Sequence, residues 1–180
     1  MMKQEIEKVL FSEEQLKSAV EKIAGEINRD YEGKEPVLIG ILKGSVVFMA
    51  DLMRKISVDC TTDFMSVSSY GGGTETSGSV RIRKDLDRSI TGKDVIVIED
   101  ILDSGTTLSH LLEILEVRRP NSLKLCVLLD KPERRVTPVK YDYVGLTVPD
   151  EFIVGYGLDY DEKYRNLPYI GVLKREVYEK

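Results

Sequence analysis

One histidine and two cysteines among 180 residues leave little material for several familiar chemistries. His110 sits inside an apolar helical pattern, so a His-rich metal centre or a Ser-His-Asp triad is hard to build here. Cys60 and Cys126 have neither metal-ligand nor redox spacing, and Cys126 lies in an apolar run that reads as core. There is no long basic run, and the formal charge is -5, so neither nucleic acid nor an anionic membrane is an expected partner. No apolar run approaches membrane length, and the N-terminus shows no arginine-rich or signal-like segment. A reducing cytoplasm is the expected compartment.

What is present is ordinary for a globular chain, with 42% hydrophobic and 32% charged residues. The length suits a single domain over 1–180 with a real core. Ser12-Glu13-Glu14-Gln15 reads as a capping box. Leu16, Ala19, Val20, Ile23, Ala24 and Ile27 then mark one helix face, which should end near Tyr31-Glu32-Gly33. Pro36 to Leu42 reads as a buried strand feeding Lys43-Gly44-Ser45 and an apolar helix from Val46 to Lys55. Asp63 to Tyr70 and Val80 to Arg83 read as strands, separated by the glycine-rich stretch 71–79. Long loops inside compact domains are often lids. Further strands are expected at Leu123 to Leu129, Tyr143 to Val148, Phe152 to Val154 and Tyr169 to Leu173. This alternation argues for an α/β fold with a mostly parallel sheet and helices on both faces.

The most informative stretch runs from Val95 to Leu108. Four β-branched residues suit a strand buried on both faces. Glu99 and Asp100 come at its end, followed by Ile101-Leu102 and the small-residue loop Asp103-Ser104-Gly105-Thr106-Thr107. Leu108, Leu111, Leu112 and Leu115 then recur at helical spacing. A strand, a Gly/Ser/Thr loop and a helix N-terminus together form an anion site built from backbone amides and the helix dipole. The loop has no lysine, so amides and hydroxyls would hold a phosphate. The two carboxylates would repel that phosphate and must serve sugar hydroxyls or magnesium. Glu99/Asp100, Lys43 and Lys131 each read as lying just past a strand's carboxyl end, where ligands bind on such sheets. Taken singly, Lys43 marks a tight turn, Lys131 a surface lysine, Phe152 a core ring, and Asp159 and Arg165 surface charges.

Glu99 through Thr107 resembles the phosphoribosyl-pyrophosphate motif of type I phosphoribosyltransferases. Leu42-Lys43-Gly44-Ser45, Ser69-Tyr70-Gly71, Leu129-Asp130-Lys131-Pro132 and Phe152 through Arg165 are similar to the 6-oxopurine branch of that family, the bacterial hypoxanthine-guanine enzymes. The likeness extends from the first helix to Leu173. It implies a twisted, mostly parallel central sheet flanked by helices, with a small hood from the chain ends. It also implies transfer of phosphoribosyl from 5-phosphoribosyl 1-pyrophosphate to hypoxanthine or guanine.

Residue by residue, the resemblance gives the 5'-phosphate to Asp103, Ser104, Gly105, Thr106 and Thr107. The ribose hydroxyls go to Glu99 and Asp100, directly or through magnesium, and a second magnesium goes to Asp159. Asp103 becomes the general acid/base at the purine N7; taken by itself it reads as a helix N-cap. Lys131 faces the O6 carbonyl, Phe152 stacks on the ring, and the Ile153 backbone reads the base edge. Lys43, Gly44 and Arg165 hold pyrophosphate, with a cis peptide at Leu42-Lys43. Ser69, Tyr70 and the mobile loop 71–79 close over the reacting centre. The family also implies a homodimer or homotetramer and inhibition by a guanine nucleotide, including guanosine tetraphosphate. A xanthine-preferring transferase is the runner-up. A nucleotide-sensing regulator on the same fold ranks lower, because the chain is acidic and retains Lys43, Asp159 and Arg165.

Overall fold

The computed structural model describes residues 4–69 and 80–179. Its elements are β1 (Ile6–Phe11), α1 (Glu13–Asp30), β2 (Val37–Leu42), α2 (Val46–Met53), β3 (Thr61–Ser69), β4 (Val80–Lys84) and β5 (Asp94–Leu102). They continue with α3 (Thr106–Val117), β6 (Ser122–Asp130), β7 (Tyr143–Thr147), β8 (Ile153–Val154), β9 (Ile170–Leu173) and α4 (Arg175–Tyr178).

Six strands form the main sheet in the order β4-β3-β2-β5-β6-β7. All its pairings are parallel except β3 with β4. The central strand β5 buries Val95, Ile96, Val97 and Ile98 completely, as expected of a strand covered on both faces. Side chains alternate along it. Ile96 and Ile98 join the cluster under α1 and α2, while Val95 and Val97 join the cluster under α3. Helices therefore cover both sides of the sheet.

The expected helix face is the one that packs. Leu16, Ala19, Val20, Ile23, Ala24 and Ile27 of α1 are all buried. The capping box is formed: the Gln15 N–H donates to Ser12 Oγ at 3.3 Å, and the Ser12 N–H donates to Gln15 Oε1 at 2.9 Å. Helix α2 stops at Met53, two residues before the apolar pattern suggested.

A second sheet, β1-β9-β8, is built from the two chain ends and forms the hood. Strand β1 escaped the sequence reading, because none of its residues is fully buried and its pattern is weak. Its partner is β9, with Ile6 opposite Leu173 and Phe11 opposite Ile170. Tyr70 and the stretch 71–79 lie outside the described residues, so the expected lid is not among the features described.

One correction concerns Glu99 and Asp100. They lie within β5, not beyond it, because pairing with β6 continues through Ile101–Leu129 and Leu102–Asp130. Lys43 and Lys131 do follow immediately on the ends of β2 and β6.

Replacing Ser12 with Ala removes one half of the capping box and exposes the other. It should destabilise the protein by about 1 kcal/mol, read as a lowered urea midpoint with unchanged slope.

Candidate active site

The parallel register brings three chain segments to one end of the sheet. Gly40 lies opposite Ile98, and Leu102 lies opposite Asp130. The residues after β2, β5 and β6 therefore emerge side by side. Gly44 is pressed against Asp100: a Cβ there would sit 1.8 Å from Asp100 Oδ2. Gly157 meets Gly44 from the other side, and a Cβ on it would lie 2.1 Å from the Gly44 carbonyl oxygen. Only glycine at both positions lets the β2–α2 turn lie against the Asp100 carboxylate on one side and the 155–158 backbone on the other. The peptide bond Leu42-Lys43 is cis, as the resemblance implied.

The loop after β5 is rigidly backed. Gly105 is the N-cap of α3 at φ 82°, so Asp103 does not cap the helix. A Cβ at Gly105 would lie 2.4 Å from the Thr137 carbonyl oxygen, which excludes any other residue there. The Val136 and Thr137 N–H groups both donate to the Ser104 carbonyl at 2.9 Å. Arg135 donates from Nε to the Asp103 carbonyl at 2.9 Å and from its terminal nitrogen to the Leu102 carbonyl at 3.0 Å. The same guanidinium is ion-paired with Asp130. The Thr106 hydroxyl meets Thr137 Oγ1 at 3.1 Å and so turns away from the cleft. A cavity of about 250 Å³ remains, lined by Glu99, Asp100, Asp103, Ser104, Gly105 and Thr107. The first amides of α3 have no acceptor within the helix, which suits an anion.

The carboxylates beside this cavity are under electrostatic strain. Burial, with the charge of Asp100 next to it, raises the Glu99 carboxyl well above the usual carboxylate range. Asp100 is itself buried and accepts the Ile101 N–H at 2.9 Å. Such a pair favours a cation or hydroxyl donors. Among the described residues, no group of three or more His, Cys, Asp or Glu side chains converges. Two carboxylates with space for substrate and water oxygens nevertheless fit magnesium, which keeps several waters.

A neighbouring cleft of about 440 Å³ is lined by Ile101, Asp103, Lys131, Phe152, Ile153 and Asp159, among others. Lys131 is buried, and its Nζ donates to the Glu151 carbonyl at 2.8 Å and pairs with Asp150 at 3.2 Å. A free-swinging surface lysine is thereby excluded. Asp103 Oδ1 is a buried acceptor without a hydrogen-bond donor. Arg134 approaches it only to 3.7 Å. Phe152 is 37% exposed, with Tyr178 stacked on it at 4.6 Å and Tyr160 edge-on at 5.6 Å.

On the opposite wall, Arg165 donates to the Gly157 carbonyl at 2.8 Å and pairs with Asp159 at 2.9 Å and Glu162 at 3.3 Å. Lys43 pairs with Glu162 at 2.8 Å. Ser69 ends β3 opposite Val80, and Tyr70 lies outside the described residues. A further cleft of about 480 Å³ lies between α1, α2 and residues 165–168, and shares Arg165 as a wall.

Four residues with a place in this geometry went unread in the sequence: Arg135, Thr137, Glu162 and Tyr178. Each belongs to a charged or chain-end stretch with no periodic signal. Only contact in the fold sets them apart.

Comparison with known proteins agrees with this layout. Residues 9–161 match the family model described as a phosphoribosyl transferase domain. The chain is 54% identical over 179 residues to the hypoxanthine-guanine phosphoribosyltransferase of Bacillus subtilis, covering 99% of each. It is 51% identical to the Streptococcus pyogenes enzyme of the same name, over the full length of both. A crystal structure of a hypoxanthine phosphoribosyltransferase from Staphylococcus aureus superposes with TM-score 0.96 at 52% identity, covering 99% of this chain and 97% of that one. With the sequence motif, the fold and its relatives in agreement over the whole length, the chain belongs to the hypoxanthine-guanine phosphoribosyltransferases, the 6-oxopurine branch of the type I phosphoribosyltransferase family.

Proposed function

We propose that this chain is a purine-salvage enzyme that transfers phosphoribosyl from 5-phosphoribosyl 1-pyrophosphate to hypoxanthine or guanine, giving IMP or GMP and pyrophosphate. The observation that carries this reading is a pair of adjoining cavities that share Asp103, one lined by Ser104, Gly105 and Thr107 and the other by the buried Lys131.

The 5'-phosphate sits on the amides and hydroxyls of Ser104, Gly105 and Thr107, with Thr106 contributing its N–H. Its charge is spread over backbone dipoles, so no lysine is needed there. Glu99 and Asp100 take the ribose 2'- and 3'-hydroxyls. They and Asp159 are the residues to hold Mg²⁺, which would neutralise the diphosphate and orient the donor. Lys43, the Gly44 amide and Arg165 bind pyrophosphate and stabilise it as it leaves.

The purine lies on Phe152, with its edge against the Ile153 backbone. Lys131 Nζ aims at O6. An adenine amino group there would face the ammonium donor to donor, leaving buried groups unpaired. The unpartnered Asp103 Oδ1 supports a donor at that point, and the purine N7–H supplies one. Asp103 accepts that proton as N9 attacks the oxocarbenium-like centre. Ser69, Tyr70 and residues 71–79 belong to the reading as a closing segment that excludes water.

Residues 1–180 act as one catalytic domain in a homodimer or homotetramer in the cytoplasm. Two free cysteines suit a reducing compartment, and no helix among the described residues is long and apolar enough to cross a membrane. The same site, which accepts a purine and several phosphates, suits a competing guanine nucleotide such as guanosine tetraphosphate.

A pyrophosphate-release assay with hypoxanthine, guanine, xanthine and adenine tests the assignment. Hypoxanthine and guanine should be consumed, adenine should not, and chelation of magnesium should abolish turnover. Consumption of adenine ahead of both 6-oxopurines would overturn it. Lys131→Ala should reduce the preference for 6-oxopurines over adenine by about 10- to 100-fold in kcat/KM. Asp103→Asn should lower kcat by about 100-fold or more while donor affinity stays within a few-fold. Gly44→Ala, which drives a Cβ into the Asp100 carboxylate, should lower kcat/KM for the donor by at least about 100-fold.

A further inference from the structure

A carboxylate with no part in the reaction stands between the two cations assigned to pyrophosphate. Glu162 Oε2 lies 2.8 Å from Lys43 Nζ, and Glu162 Oε1 lies 3.3 Å from the Arg165 guanidinium. Both Glu162 and Lys43 are about two-thirds exposed, at 65% and 66%, so burial does not force them together. Lys43, then Arg165, holds the Glu162 carboxyl below its usual pKa.

The backbone adds an independent observation. Asp161 and Glu162 occupy the centre of a tight turn closed by two hydrogen bonds between Tyr160 and Lys163, at 3.0 and 3.3 Å. Their φ values are 51° and 60°. Two central residues at positive φ form the turn that favours Asn-Gly, and a long β-carbon-bearing side chain is disfavoured there. Asp159 steadies the arrangement by accepting the Glu162 N–H at 3.0 Å. A glutamate held in a conformation that suits glycine, and aimed at two ligand-binding cations, points to a role for its side chain.

We propose that Glu162 is a resident substitute for the leaving group. It bridges Lys43 and Arg165 while the pyrophosphate subsite is empty, and an incoming diphosphate must displace it. The inference rests on the reading of Lys43 and Arg165 as pyrophosphate ligands. Donor binding then exchanges one pair of ionic contacts for another. After transfer, the returning Glu162 carboxylate competes with pyrophosphate for both cations and speeds its departure. Glu162 thus sets donor affinity and product release without touching the reacting atoms.

Calorimetric titration of magnesium pyrophosphate and of the magnesium–donor complex into the full chain tests this, at two salt concentrations. Glu162→Gln should tighten pyrophosphate about three- to five-fold, the upper part of the range of an exposed ion pair, with the gain shrinking at high salt. Glu162→Gly, which also relieves the turn, should tighten it likewise. Asp161→Asn is the control: it makes the same charge change one residue away, at a side chain that faces Lys163 at 3.7 Å. It should leave the affinity unchanged. Equal tightening by Asp161→Asn would reduce the effect to net charge, and weaker binding in Glu162→Gln would make Glu162 a ligand organiser; either overturns the proposal. Lys43→Ala separates the two levels. If it leaves pyrophosphate affinity intact, the subsite reading fails and the proposal with it. If it weakens binding while Glu162→Gln changes nothing, only the proposal fails.

Discussion

The packing of the Asp100 carboxylate against Gly44 is the constraint on which the site depends. It requires β2 and β5 to be adjacent and parallel, in the register that sets Gly40 opposite Ile98. It also requires an amino acid without a Cβ at the second position of the β2–α2 turn, and Gly157 extends the same demand to a third segment. Burying a carboxylate this deeply is costly unless its oxygens find donors. The Ile101 N–H satisfies one of them. The other oxygen faces Gly44. The carboxylates of β5 and the turn that carries Lys43 are therefore tied together by the contact between the Asp100 side chain and Gly44.

A chain with net charge -5 that binds a polyanion needs its cations held locally. In the fold these cations are paired with acids of the same chain. Lys43 faces Glu162, Arg165 faces Asp159 and Glu162, Lys131 faces Asp150, and Arg134 lies near Asp103. Ligand binding in such a site is largely an exchange of partners. Exchange yields less net affinity than capture by bare cations, but it rejects a ligand whose polar groups fail to replace the ones displaced. Arg135 stands apart from this set. Its forked guanidinium is spent on Asp130 and two carbonyls, which clamp the end of β6 to the loop after β5. The end of β6, which Lys131 follows, is thereby joined to the Asp103–Thr107 loop.

Sequence alone read the elements whose periodicity reflects burial. The Val95–Ile98 run, the α1 face and the leucines of α3 each pack as their spacing required, because a two-sided core leaves one workable pattern. Strand β1 lacks such a pattern, since it covers only the hood. The bounds of β5 were misjudged for a related reason: carboxylates look like a strand's end, yet backbone pairing is indifferent to them. For the site, the Asp103–Thr107 loop was legible from local chemistry, as small residues before a helix leave few alternatives. Lys131, Phe152, Asp159 and Arg165 were not, because an isolated lysine or arginine reads the same at a surface and in a cleft. Family likeness singled them out, and the fold brings them to one place. Glu162 escaped both routes, since its significance lies in two long-range contacts and a backbone angle.

The two sheets divide the work, and the division explains why both chain ends matter. The main sheet carries the phosphate loop, the carboxylates and the two lysines. The hood carries the aromatic floor. Phe152 directly precedes β8, its carbonyl accepts the Leu173 N–H at 2.8 Å, and β9 is held in turn by β1. The Tyr164 hydroxyl donates to Glu5 at 2.7 Å, and Lys8 pairs with Glu151 at 2.8 Å. Glu151 also supplies the carbonyl that holds Lys131. A line of contacts thus runs from the first strand, through Glu151, to the Lys131 ammonium. The proposed phosphate loop therefore stands on the parallel core, whereas the proposed base slot borders the three-stranded sheet that β1 and β9 hold together.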